Sequence, residues 1–286
     1  MALLRIAVQS KGRLYDETMA LLSESDIKLS AVKRTLLVAS RNFPVELLMM
    51  RDDDIPECVA SGISHLGIVG LNEVMERGKD VNIIKYLGFS KCRLSIAVPK
   101  RGNIKEIADL NGKKIATSYP NILDKWLKEN NITAEVHVIT GSVEIAPGIG
   151  IADAIFDIVS SGSTLVSNNL EELCTVMQSE AVLIAGKAPM DAELDEVLDE
   201  LLFRFDAVKC ADDKKYILMN VPREKLDAVV AELPGIKSPT VLPLADSGWC
   251  SVHTVVSEKH FWEIIGKLRD AGAEGILVLD IEKMVL

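Results

Sequence analysis

Between Leu4 and Ala185 the chain writes one design twice, and two copies of an alternating strand, loop and helix leave little choice of fold. In the first copy Leu4–Gln9 reads as a strand, Ser10–Arg13 as a loop and Leu14–Ser23 as an amphipathic helix. In the second, Lys114–Thr117, Ser118–Pro120 and Asn121–Glu129 take the same parts. Each copy then carries an acidic turn, a proline, a glycine-punctuated helix and a buried strand: RDDDIPECVASGISHLGIVG from Arg51 and VEIAPGIGIADAIFDIVSSG from Val143. Such alternation implies parallel α/β sheets with ligand groups at the carboxyl ends of the strands. Two lobes of this kind facing one another enclose a cleft.

Between the copies, Cys92–Val98 (CRLSIAV) reads as a strand that serves as the crossover, and Pro99-Lys100-Arg101-Gly102 breaks it. After the second copy, Ala181–Ala185 is a strand, and Asp191–Asp206 has helical period with leucines at 194, 198, 201 and 202, as expected of a segment returning to the first lobe. The linking strands then act as hinges. From Asp213 the order changes to strand Tyr216–Val221, helix Glu224–Leu233, strands Thr240–Leu244 and Ser251–Val256, helix Glu258–Ala271 and strand Ile276–Leu279, a ferredoxin-like βαββαβ. The expected partition is residues 1–90 with 181–211 as one lobe, 91–180 as the second, and 212–286 as a small regulatory or oligomerisation domain.

At 286 residues and 48% hydrophobic content there is ample core material, and a net charge of −10 argues against a nucleic-acid partner. Five widely spaced cysteines without a CxxC suggest neither a disulfide framework nor a zinc site, and are expected as buried thiols in a reducing cytoplasm. Arg5 and Lys11 interrupt any apolar signal core, and no run approaches the length of a membrane span. Four scattered histidines do not make a metal cluster.

The chemistry concentrates at Gly141–Leu165, GSVEIAPGIGIADAIFDIVSSGSTL. Ala154–Val159 reads as a buried strand with Asp157 the one charge inside it, and a buried carboxylate is costly unless bonded. Ser160, Ser161, Gly162, Ser163 and Thr164 follow, offering hydroxyls and free N–H groups where Leu165 opens a helix. Glu144 is read at the end of an apolar strand on the same edge. Phosphate donors beside carboxylates that can accept from a diol fit a ribose 5-phosphate. The plainer alternative makes Ser163 or Thr164 a helix cap, Asp153 a turn residue and Asp157 a solvated edge.

Basic residues stand against the acidic background at Lys11, Gly12 and Arg13, which are read either as a polyphosphate grip or as a solvated loop. Arg51 follows the strand Glu46–Met50, where a guanidinium can meet a phosphate bidentately, while the aspartates after it are explained by capping and the helix dipole. Tyr119, at the matching edge of the second copy, either stacks on a base or packs.

These segments together resemble the ATP phosphoribosyltransferase family in its long form. The resemblance is carried by RIAVQSKGRL, RDDDIP, CRLSIAVP, NGKKIATSYPNIL, the Gly141–Leu165 string, SPTVLPLA and ILVLDIEKM, nearly the whole chain. Two departures are small: Ser160-Ser161-Gly162 stands where Ser-Thr-Gly is usual, and Gln9-Ser10 precedes Lys11 where Pro-Lys-Gly is frequent. The resemblance implies a two-lobed, type II periplasmic-binding-protein-like catalytic region with a ferredoxin-like regulatory domain. It implies transfer of phosphoribosyl from 5-phosphoribosyl 1-pyrophosphate to N1 of ATP with Mg²⁺ held mainly through substrate phosphates, the first step of histidine biosynthesis. The 5-phosphate would sit on Ser160–Thr164, the hydroxyls on Glu144, Asp153 or Asp157, and the ATP and pyrophosphate groups on Lys11, Arg13 and Arg51. It implies feedback inhibition by L-histidine at Asn220, Ile236, Thr240 and the turn ending at Gly275, AMP as a second inhibitor, and a dimer or hexamer.

Three rivals remain at this point, and the attached βαββαβ domain speaks against one of them, a short-form subunit that requires a separate activating protein. A two-lobed binding protein would call for an export signal or, in a regulator, a basic DNA-binding helix, and neither is read here. A phosphoribosyltransferase with another nitrogen nucleophile is separated only weakly, by the basic Lys11, Arg13 and Arg51.

Overall fold

A computed structural model describes residues 3–30, 36–233 and 238–286. The chain divides into two compact units, residues 1–20 with 27–197 and residues 21–26 with 198–286.

The first unit holds two sheets. One is formed by β1 (Leu4–Gln9), β2 (Leu37–Ala39), β3 (Val45–Met50), β4 (Leu66–Gly70), β5 (Val81–Tyr86) and a late strand, β11 (Ala181–Gly186). Its order is β2-β3-β1-β4-β11-β5. The other is formed by β6 (Cys92–Pro99), β7 (Lys114–Thr117), β8 (Glu135–Val138), β9 (Ala154–Val159) and β10 (Leu170–Ser179), in the order β10-β6-β9-β7-β8. The internal repeat is real in the order of the strands, but the glycine-punctuated helix expected after Val143 is not formed: where the first copy has a helix at Ile55–Ala60, the second has a 3-10 turn at Val143–Ile145 followed by turns. In the first sheet β3 and β4 lie parallel on either side of β1, followed by antiparallel β11 and β5. In the second, β8 and β9 lie parallel on either side of β7, followed by antiparallel β6 and β10.

Both sheets are therefore mixed, and the expectation of purely parallel sheets is corrected. Cys92–Val98 is not a crossover but an interior strand between β9 and β10, with Leu94, Ser95, Ile96, Ala97 and Val98 buried. The chain passes between sheets just before it, at residues 87–91, and again between β10 and β11.

Helix α1 (Arg13–Glu24) has its first eight residues in this unit, which also holds α2 (Ile55–Ala60), α3 (Leu71–Arg77), α4 (Pro120–Glu129) and α5 (Ser163–Ser167). Pro120 begins α4 where a missing N–H is harmless, and Leu123 and Leu127, one turn apart, enter the second sheet's core beside Phe156. The 20-residue α6 (Ala192–Ala211) buries Leu194, Leu198 and Leu201, with Leu202 half-buried.

The second unit carries β12 (Lys214–Pro222), α7 (Leu226–Ala231), β13 (Thr240–Pro243), β14 (Trp249–Ser257), α8 (Glu258–Asp270) and β15 (Glu274–Asp280). The antiparallel order β13-β14-β12-β15 is the ferredoxin-like arrangement read from the sequence. Period-two burial along β12, with Ile217, Met219 and Val221 inward, places α7 and α8 over one face.

Candidate functional site

The loop after β9 is open and lined as a cradle. A cavity of about 300 Å³ is bounded by Glu144, Ile155, Asp157, Ser160, Ser161, Gly162 and Thr164 among others. Gly162 caps α5 at φ 80°, a left-handed conformation that glycine adopts without penalty. Ser161 and Ser163 share a hydroxyl bond of 3.0 Å, and Ser167 and Asn168 donate back to the Ser163 and Thr164 carbonyls. Among the described residues the amides of Ser161, Gly162 and Thr164 donate to no protein acceptor. Ser160, Ser161, Ser163 and Thr164 are all exposed. The helix begins at Ser163 rather than Leu165 and is only five residues long, so the loop's own amides and hydroxyls, not a macrodipole, supply the donors.

Asp157 stands half-buried inside β9, taking a 2.8 Å bond from the Ile158 amide. Burial pushes its pKa up to about 6; the Ile158 amide works against that rise and the Glu144 carboxylate adds to it. Glu144 belongs to a short 3-10 turn, Val143–Ile145, and not to a strand end as read from the sequence. The local apolar run is the same, but Ser142 at φ 51° turns the chain before it can pair. The result brings Glu144 and Asp157 to the same cavity as the hydroxyl loop.

Asp153 does not join them. It precedes β9 by one residue, where its carboxylate accepts the Lys114 amide at 2.9 Å. There it lines a separate cavity of about 330 Å³ with Lys113, Lys114 and Gly150. A parallel neighbour strand, β7, explains the displacement: Asp153 marks the amino end of β9 and Ser160 the carboxyl end.

Tyr119 takes the packed alternative. It is 8% exposed, accepts a 3.3 Å bond from Asn72 Nδ2, and belongs to the core of the second sheet. Burial first, then the neighbouring Glu73 carboxylate, holds its hydroxyl far above the ordinary titration range. Tyr119 is part of a polar seam between the two sheets' helices. Asn72 exchanges bonds with Ser179, and Glu73, its pKa raised by burial, takes a bond from Asn72. Glu76 of α3 accepts the Asn121 and Ile122 amides at 3.0 Å each, filling the N-terminus of α4.

Lys11 and Arg13 are exposed, with Gly12 at φ 95° between them. Arg13 Nη2 donates to the Lys91 carbonyl at 3.4 Å, in the segment where the chain changes sheets. Arg51 has a 79% exposed side chain, but it is paired with Asp53 at 3.1 Å. No aspartate side chain of the Asp52–Asp54 run caps a helix. Asp52 instead accepts from Gln9 at 3.2 Å, and Asp53 also meets Arg77.

In the second unit Asn220 of β12 pairs with Glu274, and a Cβ added to Gly275 would lie 3.3 Å from Asn220 Nδ2. Thr240 sits two strands away on the edge strand β13, opposite His253. Ile236 falls outside the described residues. Of the five unbridged cysteines Cys58 and Cys250 are buried, while Cys92, Cys174 and Cys210 are half-buried, so the expectation of uniformly buried thiols is corrected. Among the described residues no helix is long and apolar enough to cross a membrane.

Sequence reading passed over Arg93 and Glu172. Arg93 Nε and Nη2 meet the Glu172 carboxylate at 2.8 and 2.6 Å, and Nη1 donates to the Ser160 carbonyl at 3.1 Å. The two residues lie on strands 79 positions apart, and the only local sign was a lone arginine opening an otherwise uncharged strand, β6.

Comparison with known proteins places this geometry. Residues 51–207 match the family model described as ATP phosphoribosyltransferase, and residues 211–283 match the model of that family's C-terminal domain. The ATP phosphoribosyltransferase of Bacteroides fragilis is 69% identical over 99% of this chain and 100% of its own. That of Cytophaga hutchinsonii is 56% identical over 99% and 98%. Among solved structures, the ATP phosphoribosyl transferase (HisG:HisZ) complex from Thermotoga maritima superposes with a TM-score of 0.61 at 25% identity, covering 71% of this chain and 98% of that one. A substrate-binding protein of an amino acid ABC transporter shares the fold, with a TM-score of 0.51 at 14% identity over 73% of this chain and 94% of its own.

Proposed function

The chain belongs to the ATP phosphoribosyltransferase family, and we propose that the loop Ser160–Thr164 holds the 5-phosphate of its phosphoribosyl donor while Asp157 and Glu144 hold the ribose hydroxyls. The protein is a pentosyltransferase of the first step of histidine biosynthesis. One observation supports the placement above the others: amides without protein partners, exposed hydroxyls and two carboxylates line a single cavity at the carboxyl end of β9.

The chemistry asks for this combination. The N1 lone pair of adenine forms a bond to C1 of the ribose as the C1–O bond breaks and its electron pair leaves with pyrophosphate. Positive charge grows on the ring, and no proton moves in that step. Asp157, ionised above pH about 6, accepts from the ring hydroxyls and stabilises the developing charge. The loop fixes the opposite end of the sugar, so orientation supplies much of the rate.

Among the described residues no three potential ligands stand together to hold a metal. Mg²⁺, when bound, would be held mainly through the substrates' phosphates, where it would offset their charge. Lys11 and Arg13 meet the polyphosphate, and Arg51 joins them on leaving Asp53. The division into lobes 1–90 with 181–211 and 91–180, ahead of a regulatory domain at 212–286, belongs to the same proposal. So do inhibition by L-histidine near Asn220, Thr240 and Gly275, inhibition by AMP, a homo-oligomeric dimer or hexamer, and a cytoplasmic setting.

The test is release of pyrophosphate from phosphoribosyl pyrophosphate by the purified protein with Mg²⁺ and each of ATP, a pyrimidine and a simple amine. The account expects release with ATP, suppressed by L-histidine. Release with a pyrimidine or amine and not with ATP overturns the nucleophile, and activity untouched by histidine overturns the regulatory part.

A further inference from the structure

We propose that Arg93 and Glu172 are positioning residues for the phosphoribosyl donor, a brace that fixes the Ser160–Ser161 peptide so that its amide faces the cradle. The proposal rests on the reading of Ser160–Thr164 as the 5-phosphate site.

The brace begins with two irregularities. Strand β10 pairs with β6 through register shifts between Glu172 and Cys174 and between Thr175 and Met177. Such bulges bend a strand and re-aim its side chains. Glu172, opposite Ala97 in the ladder, is thereby held over Ser95 and Arg93. Its carboxylate takes the Ser95 hydroxyl at 2.7 Å, the Thr175 hydroxyl at 2.9 Å and two guanidinium nitrogens of Arg93. Ser95 is buried at 1% exposure. This set of donors, Arg93 foremost, holds the Glu172 carboxyl down at about 2, against the desolvation of its site.

A guanidinium has N–H groups on three nitrogens in a rigid plane. Two of those nitrogens are committed to Glu172, and the third points at the Ser160 carbonyl. Arg93 stands opposite Val159, the last residue of β9, so the reach is short and set by the ladder. In a trans peptide the C=O and the following N–H point in opposite directions. Holding the Ser160 oxygen toward Arg93 therefore turns the Ser161 N–H the other way. Among the described residues that amide has no protein acceptor, and Ser161 lines the cavity with Asp157 and Thr164. A loop of small residues with a left-handed Gly162 has many conformations available, and fixing one peptide plane at its entrance narrows them.

Arg93 is spent on protein partners, so the brace acts on donor binding and not on the nucleophile. The experiment compares steady-state kinetics of wild type, Arg93→Gln, Arg93→Lys, Glu172→Gln and the double variant R93Q/E172Q, with Thr164→Val as a control on the cradle itself. The expected result is a rise of about tenfold in KM for phosphoribosyl pyrophosphate in each single variant, with KM for ATP unchanged. The double variant should be no worse than the poorer single, because the two residues act as one unit. Arg93→Lys keeps a charge opposite Glu172 but lacks the planar fork, so it reports on the Ser160 contact even where Arg93→Gln fails to fold.

Two outcomes overturn the proposal. One is an unchanged KM for phosphoribosyl pyrophosphate in Arg93→Lys. The other is a lowered KM in Glu172→Gln beside a raised one in Arg93→Gln, which would mean that a freed guanidinium meets the donor directly. A raised KM in Thr164→Val with normal Arg93 variants removes the brace alone, whereas a normal KM in Thr164→Val removes the cradle on which it rests.

Discussion

Two helices that begin at the carboxyl edge of the second sheet, α4 and α5, have opposite fates. The first amides of α4 are taken by a carboxylate of the same chain, Glu76, reaching across from the helix of the first sheet. Among the described residues the amides ahead of α5 have no protein acceptor, and the serines and threonine around them are small, hydroxylated and exposed. Chemically the two edges offer the same thing, a group of N–H donors that favours an anion. One has its anion built in and serves to join the lobes. The other waits for an anion from outside, and this asymmetry is what separates a structural edge from a binding edge.

The largest expected effect falls on the carboxylate beside the open edge. Asp157→Asn should lower kcat/KM for phosphoribosyl pyrophosphate by about 100-fold, since the group then accepts more weakly from the ribose and no longer answers the developing charge. The same variant should raise Tm above pH 6. Burial lifts the folded pKa of Asp157 to about 6, so the ionised carboxylate is disfavoured by folding. The stability present while it is protonated is lost as pH rises through that value. A variant that is less stable and fully active would remove Asp157 from the site.

Next comes the pH profile. Below about pH 6 Asp157 gains a proton, and wild-type kcat/KM should fall by about tenfold per unit there. In Asp157→Asn that limb should flatten. The brace should leave no such mark: Glu172 is held near 2, so the stability it contributes is present above the usual carboxylate range and is lost only as pH falls toward 2.

Thr164→Val, a change of one hydroxyl, should raise KM for the phosphoribosyl donor about tenfold and leave KM for ATP alone. The smallest effect belongs to the closed edge. Glu76→Gln replaces a charged cap with a neutral one and should cost about 1 kcal/mol of stability, read as a lower Tm, without a selective change in either KM. A selective rise in donor KM there would erase the distinction between the two edges.

The features legible in sequence were those written in neighbouring residues. The duplicated strand-loop-helix order, the ferredoxin-like order of the last domain and the Ser160–Thr164 string all depend on local periodicity or turn chemistry, and all are seen in the structure. What failed depends on partners far along the chain. Tyr119 read equally well as a stacking surface, because its burial comes from Asn72 and the core of a sheet assembled later. Asp153 and Asp157 are four residues apart, yet Asp153 precedes β9 at its amino end while Asp157 lies within the strand, toward its carboxyl end. The strands β2, β5, β8 and β10 went unread because they are short, charged or bulged, and their identity is fixed by the ladders they join. Arg93 and Glu172 gain meaning only when β6 and β10 are side by side.

A crystal structure of the protein with phosphoribosyl pyrophosphate bound reads the seat of the donor directly. The 5-phosphate oxygens are expected about 2.7–3.2 Å from the amides of Ser161, Gly162 and Thr164, with ribose hydroxyls on Asp157 or Glu144. A 5-phosphate seated instead beside Lys113 and Lys114, at the far end of β9, would contradict that placement.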